Sequence, residues 1–109
     1  MDAKDPRVVA VREWLKEHYT IHENPGMGPQ GLYYYYHTMS KALSLSGVTK
    51  IETKGGKMKD WRKELSLHLL NLQSSDGSWI NENGRWWEKD PVLVTSYALL
   101  TLERIYYTL

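Results

Sequence analysis

The residues of this chain best equipped for chemistry lie in the run Tyr33-Tyr34-Tyr35-Tyr36-His37. Tyr33 and His37 are four apart, so on a helix they share one face and a phenol–imidazole hydrogen bond comes within reach. Such a pair could move a proton as a general acid or base. The competing reading is structural, because an enclosed helix needs bulky amphipathic side chains to fill the space around it. A second cluster is Trp86-Trp87 with Asn81, Glu82, Asn83 and Arg85. It is either a carbohydrate-stacking platform or a packing surface for an adjoining unit, and exposure of the tryptophans would favour binding. Glu82, Glu88 and Asp90 have no fixed spacing on a loop, and Asp90 already reads as a helix N-cap, so no acid/base pair is expected there. His18 and His22 are four apart, but a loop begins between them. No metal site and no cofactor is expected.

The elements that must position these groups are legible as apolar spacing. Asp5-Pro6 reads as an N-cap followed by a first-turn proline, after which Val8, Val11, Leu15 and Tyr19 form one stripe opposite Arg12, Glu13, Lys16 and Glu17. The turn-rich IHENPGMGPQG separates this amphipathic helix from a second one, LYYYYHTMSKALSLSG. In the second, Leu32, Tyr36, Met39 and Leu43 form a stripe that Tyr35 and Ala42 widen. Tyr33, His37, Ser40 and Ser44 make a more polar face, and Lys41 is the one formal charge, so most of the circumference can be buried. Gly47 is a C-terminal stop. Residues 48–59 hold two short flanks around Gly55-Gly56, the signal for a small β-hairpin, and Lys50, Lys54, Lys57 and Lys59 make it a solvated excursion.

Asp60 caps a third helix with Trp61, Leu65, Leu69 and Leu72 on one face and Arg62, Lys63 and Glu64 away from it. Asp90-Pro91 repeats the Asp-Pro start and opens VLVTSYALLTLERIYYTL, apolar nearly all round for three turns and therefore expected to be buried on most sides. The order is amphipathic, enclosed, amphipathic, enclosed. This predicts one domain over 1–109, built from a first unit at about 5–47, the hairpin insert at about 48–59 and a second unit at about 60–109. Two such units cannot surround their own inner helices, which need more chain, a second copy, or an exposed apolar face.

Composition removes several classes of function. With 109 residues the chain can build a single core, and a formal charge of +1 with mixed signs gives no reason to propose a nucleic-acid partner. The absence of cysteine removes disulfides and thiolate chemistry and leaves the compartment open. No secretory h-region follows the N-terminus, and Thr95, Ser96, Glu103 and Arg104 interrupt the apolar C-terminal stretch, so no membrane span is expected. Eight tyrosines and five tryptophans without a phenylalanine favour surfaces that need apolar area with a polar edge.

The third helix runs into Gln73-Ser74-Ser75-Asp76-Gly77-Ser78-Trp79. The pattern Leu69-x3-Gln73-x3-Gly77-x-Trp79 resembles the QW repeat of squalene–hopene and oxidosqualene cyclases. Together with the alternation of outer and inner helices it is similar to the prenyltransferase and squalene-oxidase repeat. The resemblance implies an all-α architecture of α/α toroid-type helical hairpins, two repeats and about four helices, beside the small β-hairpin. The position four before Leu69, aromatic in the full motif, is Leu65. In that family the motif ties outer helices together. Here Gln73 would bond orphan carbonyls at a helix end or the next repeat's backbone, Asp76-Gly77 would permit the reversal, and the Trp79 indole would cover the helix end and need an acceptor.

The family's catalytic machinery has no counterpart in the chain: there is no D-x-D-D acid and no cysteine to complete a prenyltransferase zinc site. In toroidal polysaccharide lyases, Tyr, His and Asn abstract a proton α to a uronate carboxyl, and by that resemblance Tyr33, His37 and Asn24 are the catalytic candidates. Tyr34, Tyr97, Trp86 and Trp87 are the ligand-binding candidates, for an apolar or carbohydrate ligand. The primary expectation is a structural or interaction module that closes its apolar face by self-association or against further repeats. The alternative is a C-terminal portion of a toroidal enzyme acting on an isoprenoid or a polysaccharide. That reading expects Tyr33, Tyr34, His37 and Tyr97 to face one pocket.

Overall fold

A computed structural model of the protein describes residues 4–109. Among them the chain is mostly helical: α1 (Pro6–His18), α2 (Leu32–Leu45), α3 (Trp61–Leu72) and α4 (Pro91–Tyr106), with a two-stranded sheet of β1 (Ile51–Glu52) and β2 (Met58–Lys59). The caps follow local chemistry. The carboxylates of Asp5, Asp60 and Asp90 each accept a backbone N–H at the start of their helix. Their donors are Arg7, Arg62 and Val92, and Pro6 and Pro91 occupy the first turn without losing a bond. Gly47, in the left-handed region at φ 71°, ends α2. The Val48 N–H then reaches the Leu43 carbonyl at 3.0 Å while both side chains enter the core. The strands pair antiparallel, Ile51 opposite Lys59 and Glu52 opposite Met58, around the Gly55-Gly56 turn.

The most extensive helix pairing is α2 against α4, and α3 also packs on α4. One core joins Leu15 of α1, Tyr33, Tyr36, Met39 and Leu43 of α2, Trp61, Leu65 and Leu69 of α3, Trp79, and Val94, Ala98 and Ile105 of α4. Polar side chains pin the amphipathic helices to their surroundings. The Trp61 indole donates to the Val48 carbonyl at 2.7 Å, the Tyr19 hydroxyl to Glu64 Oε1 at 2.7 Å, and Arg62 Nη1 to the Thr108 carbonyl at 3.0 Å.

Three expectations about burial require correction. α4 buries a single stripe, Val94, Ala98, Thr101 and Ile105, while Val92, Leu99, Leu100 and Tyr106 stand exposed, because no further element lies outside it among the described residues. Val11 and Ala42 are also exposed, on the two sides of an apolar groove between α1 and α2. Leu72 is exposed as well: α3 turns its last residue outward where the chain leaves for the Gln73–Gly77 turn. No helix among the described residues is long and apolar enough to cross a membrane.

Candidate functional site

The segment between α3 and α4 divides into a clasp and a platform. In the clasp, Trp79 is buried and its indole N–H donates at 2.8 Å to the Leu69 carbonyl, which also accepts the Gln73 N–H at the end of α3. The Trp79 backbone N–H donates to Thr95 Oγ1 of α4 at 3.0 Å, so one residue ties both helices. Asp76 Oδ1 accepts the Ser78 backbone and hydroxyl, and Gly77 takes φ 91°. Gln73 differs from its expected role. Its Nε2 donates to the Gly77 carbonyl at 2.8 Å, closing its own turn instead of reaching a helix end or a neighbouring repeat. An amide four residues from that carbonyl finds it first, because the turn brings it back alongside.

The platform is rooted by Glu88, whose part no sequence pattern announces. α2 starts at Gly31 in a left-handed conformation, φ 62°, with no side-chain cap of its own. The buried Glu88 supplies the cap from 55 residues away: Oε1 accepts the Tyr33 N–H at 2.9 Å and Oε2 the Tyr34 N–H at 3.0 Å. A carboxylate suits this place, since the first amides of a helix are unpaired and carry its positive dipole end. Asn81, also buried, donates through Nδ2 to Glu88 Oε1 at 3.0 Å and to the Pro29 carbonyl at 2.6 Å, while its backbone N–H donates to the Glu88 carbonyl at 2.8 Å. Glu82 and Asp90 stay at the surface, so the three acids do not converge.

Between these anchors, Trp86 and Trp87 adopt φ 61° and 66°, left-handed conformations that bulky side chains rarely take. They are 57% and 81% exposed. The edge of the Trp86 indole lies against Gly31, where a Cβ would come within 3.3 Å of it, and the Arg85 guanidinium sits 5.2 Å from the Trp86 ring centroid. Trp86 and Trp87, Tyr34 of α2, Tyr97 of α4, Asn24, Met27 and Gly31 bound a cleft of about 470 Å³. Asn24 is held there by donation from its Nδ2 to the Gln30 carbonyl at 2.9 Å.

Tyr33 and His37, by contrast, part company. Tyr33 turns into the core against Tyr36, with ring centroids 5.6 Å apart, and burial pushes its phenol up to about 12, the Glu88 charge adding to the effect. His37 stacks on Tyr97 at 5.9 Å, and Tyr97 meets Tyr34 edge-on at 5.7 Å. The phenol–imidazole bond expected from their spacing does not form, because the two residues, although neighbours on the helix, straddle the edge of the core. His37 Nδ1 is buried without a hydrogen-bond partner, and desolvation, followed by the charges of Lys41 and Arg104, lowers its pKa. Among the expected residues, Asn24, Tyr34, Tyr97, Trp86 and Trp87 share one cleft; Tyr33 lies outside it and His37 behind Tyr97. His18 pairs with Trp14, and His22 with His68, so the two rings turn to different neighbours.

Comparison with known proteins finds no matching family model, no matching curated protein and no matching solved structure.

Proposed function

We propose that the chain is an interaction module of QW-type helical hairpins that closes the outer face of α4 against a second copy of itself. The observation that carries this reading is a second apolar stripe on α4. Val92, Leu99 and Tyr106 recur at intervals of seven residues, and Leu100 stands exposed beside Leu99. That is the spacing of a helix–helix seam. Val92, Leu99 and Tyr106 of this stripe are 76%, 55% and 70% exposed, and it contains no charged residue. A seam that is apolar, uncharged and regular in period is complementary to itself, which is the requirement for a twofold interface. The Leu69–Trp79 bond is the part of the clasp that supports the repeat reading, while Gln73 closes its own turn instead of taking the motif's role.

The enzymatic alternative needs Tyr33, Tyr34, His37 and Tyr97 in one pocket, and Tyr33 is in the core. The test is the solution mass by light scattering coupled to gel filtration. A mass of twice the 12.7 kDa chain is expected. Leu99→Glu, on the exposed stripe, should return the protein to monomer with its helical circular dichroism unchanged. A monomer throughout the micromolar range, or a dimer indifferent to Leu99→Glu, would overturn the reading.

A further inference from the structure

The tryptophan platform stands outside that interface. Tyr97, which faces it, and Leu99, in the seam, lie about 160° apart around α4. The platform also carries an unexplained expense of conformation. Each left-handed non-glycine residue costs about 1–2 kcal/mol. Trp86 and Trp87 accept this consecutively without recovering it through burial. Glycine or asparagine would make the same turn without strain. The turn nonetheless hangs from a rigid base, the buried Asn81–Glu88 pair fastened to Pro29 and to the first amides of α2. A rigidly mounted, strained and exposed aromatic pair is matched to something outside the chain.

The lining narrows what that is. A volume of about 470 Å³ is of small-ligand size. A quaternary ammonium group would want aromatic faces and negative charge. No carboxylate lines the cleft, and Glu88 is turned away to the α2 amides, so nothing there balances such a charge. A lipid chain would want an unbroken apolar wall. Here each of the four aromatics carries a hydrogen-bonding edge beside its flat apolar face, and Asn24 contributes a fixed amide whose Oδ1 can accept. The ligand whose surface has the same division is a pyranose, with C–H groups on its faces and hydroxyls around its rim. In β-linked chains of equatorially substituted rings those faces are flat and repeat.

We propose that this cleft binds a β-linked oligosaccharide, one ring stacking on Trp86 and Trp87 with its hydroxyls meeting Tyr34, Tyr97 and Asn24. The experiment is a titration of the isotope-labelled full chain followed through its tryptophan indole N–H resonances. Cellopentaose and chitopentaose serve as probes, with decaproline and choline as competing chemistries. Saturable shifts of the Trp86 and Trp87 signals are expected with at least one oligosaccharide, at dissociation constants on the order of 1 mM or tighter. Trp61 and Trp79, buried and bonded to carbonyls, should not move, and their unchanged signals in Trp87→Ala show that the variant folds. Trp87→Ala should weaken binding about tenfold or more, the loss expected of one stacking plate. Repeating the titration on Leu99→Glu separates this site from self-association. Silence of the Trp86 and Trp87 signals with both sugars, a response to decaproline or choline alone, or full binding by Trp87→Ala would each overturn the proposal.

Discussion

Trp79 and Trp87 are eight residues apart in one connection and have opposite circumstances. Trp79 is buried, donates its indole N–H to α3 and its backbone N–H to α4, and follows a turn made with a glycine. Trp87 is exposed, sits in a backbone conformation that disfavours it, and touches a cleft instead of a core. The first is explained entirely by what it does for the fold. The second costs the fold something that burial does not return. Residue type alone therefore does not tell a tryptophan that the fold uses from one it leaves at the surface; the destination of the indole N–H and the sign of the backbone φ do.

That contrast can be broken or sharpened by substitution. The largest effect belongs to Trp79→Ala, which should destabilise the protein by about 3–5 kcal/mol in urea unfolding, as expected for truncating a buried large aromatic. A loss near zero would erase the distinction between the two tryptophans. Next comes Glu88→Ala. It leaves the Tyr33 and Tyr34 amides and the Asn81 side chain short of an acceptor, and should cost about 3 kcal/mol. It should also loosen the platform, read as faster amide exchange at the start of α2.

Trp87→Gly should act in the other direction. Removing a left-handed side chain that is mostly in solvent should raise stability by up to about 1 kcal/mol, the relieved strain less the entropy of glycine. The same change should abolish the oligosaccharide response, so stability and binding would part at one residue.

The smallest effect is the pH dependence. Burial lowers the pKa of His37 and of His68, with Lys41 and Arg104 acting on the first and His22 on the second. The unfolded chain then takes up protons near pH 6.5 while the folded one resists, so stability falls as pH drops through that value and levels off below the folded pKa values. Unfolding midpoints measured between pH 8 and 5 should decline along that curve, and less steeply in His37→Gln.

The helices and their caps were legible because the signals are local. The three aspartate caps, the Gly47 stop and the Gly55-Gly56 turn each act within a turn of their own position. That the Trp79 indole would need an acceptor at the helix end was legible for the same reason, and the structure supplies it as the Leu69 carbonyl ten residues away. Glu88 was legible only as one of three loop acids. Its partners are 55 and 54 residues distant, and nothing in its neighbours marks it as the cap of α2. The Tyr33–His37 spacing was real, but spacing states only that two residues are neighbours on a helix, and the boundary of the core ran between them.

By itself, then, the amino-acid order determined four helices, a small hairpin and the turn that clasps α3 to α4, since periodicity, caps and glycine conformations act over a few residues. Tertiary structure alone decided which of these apolar faces were covered, that Glu88 would start α2, and that Trp86 and Trp87 would meet Tyr34 and Tyr97 around a cleft. Exposure depends on which distant element arrives to cover a surface, and on α4 none of the described elements covers the outer stripe.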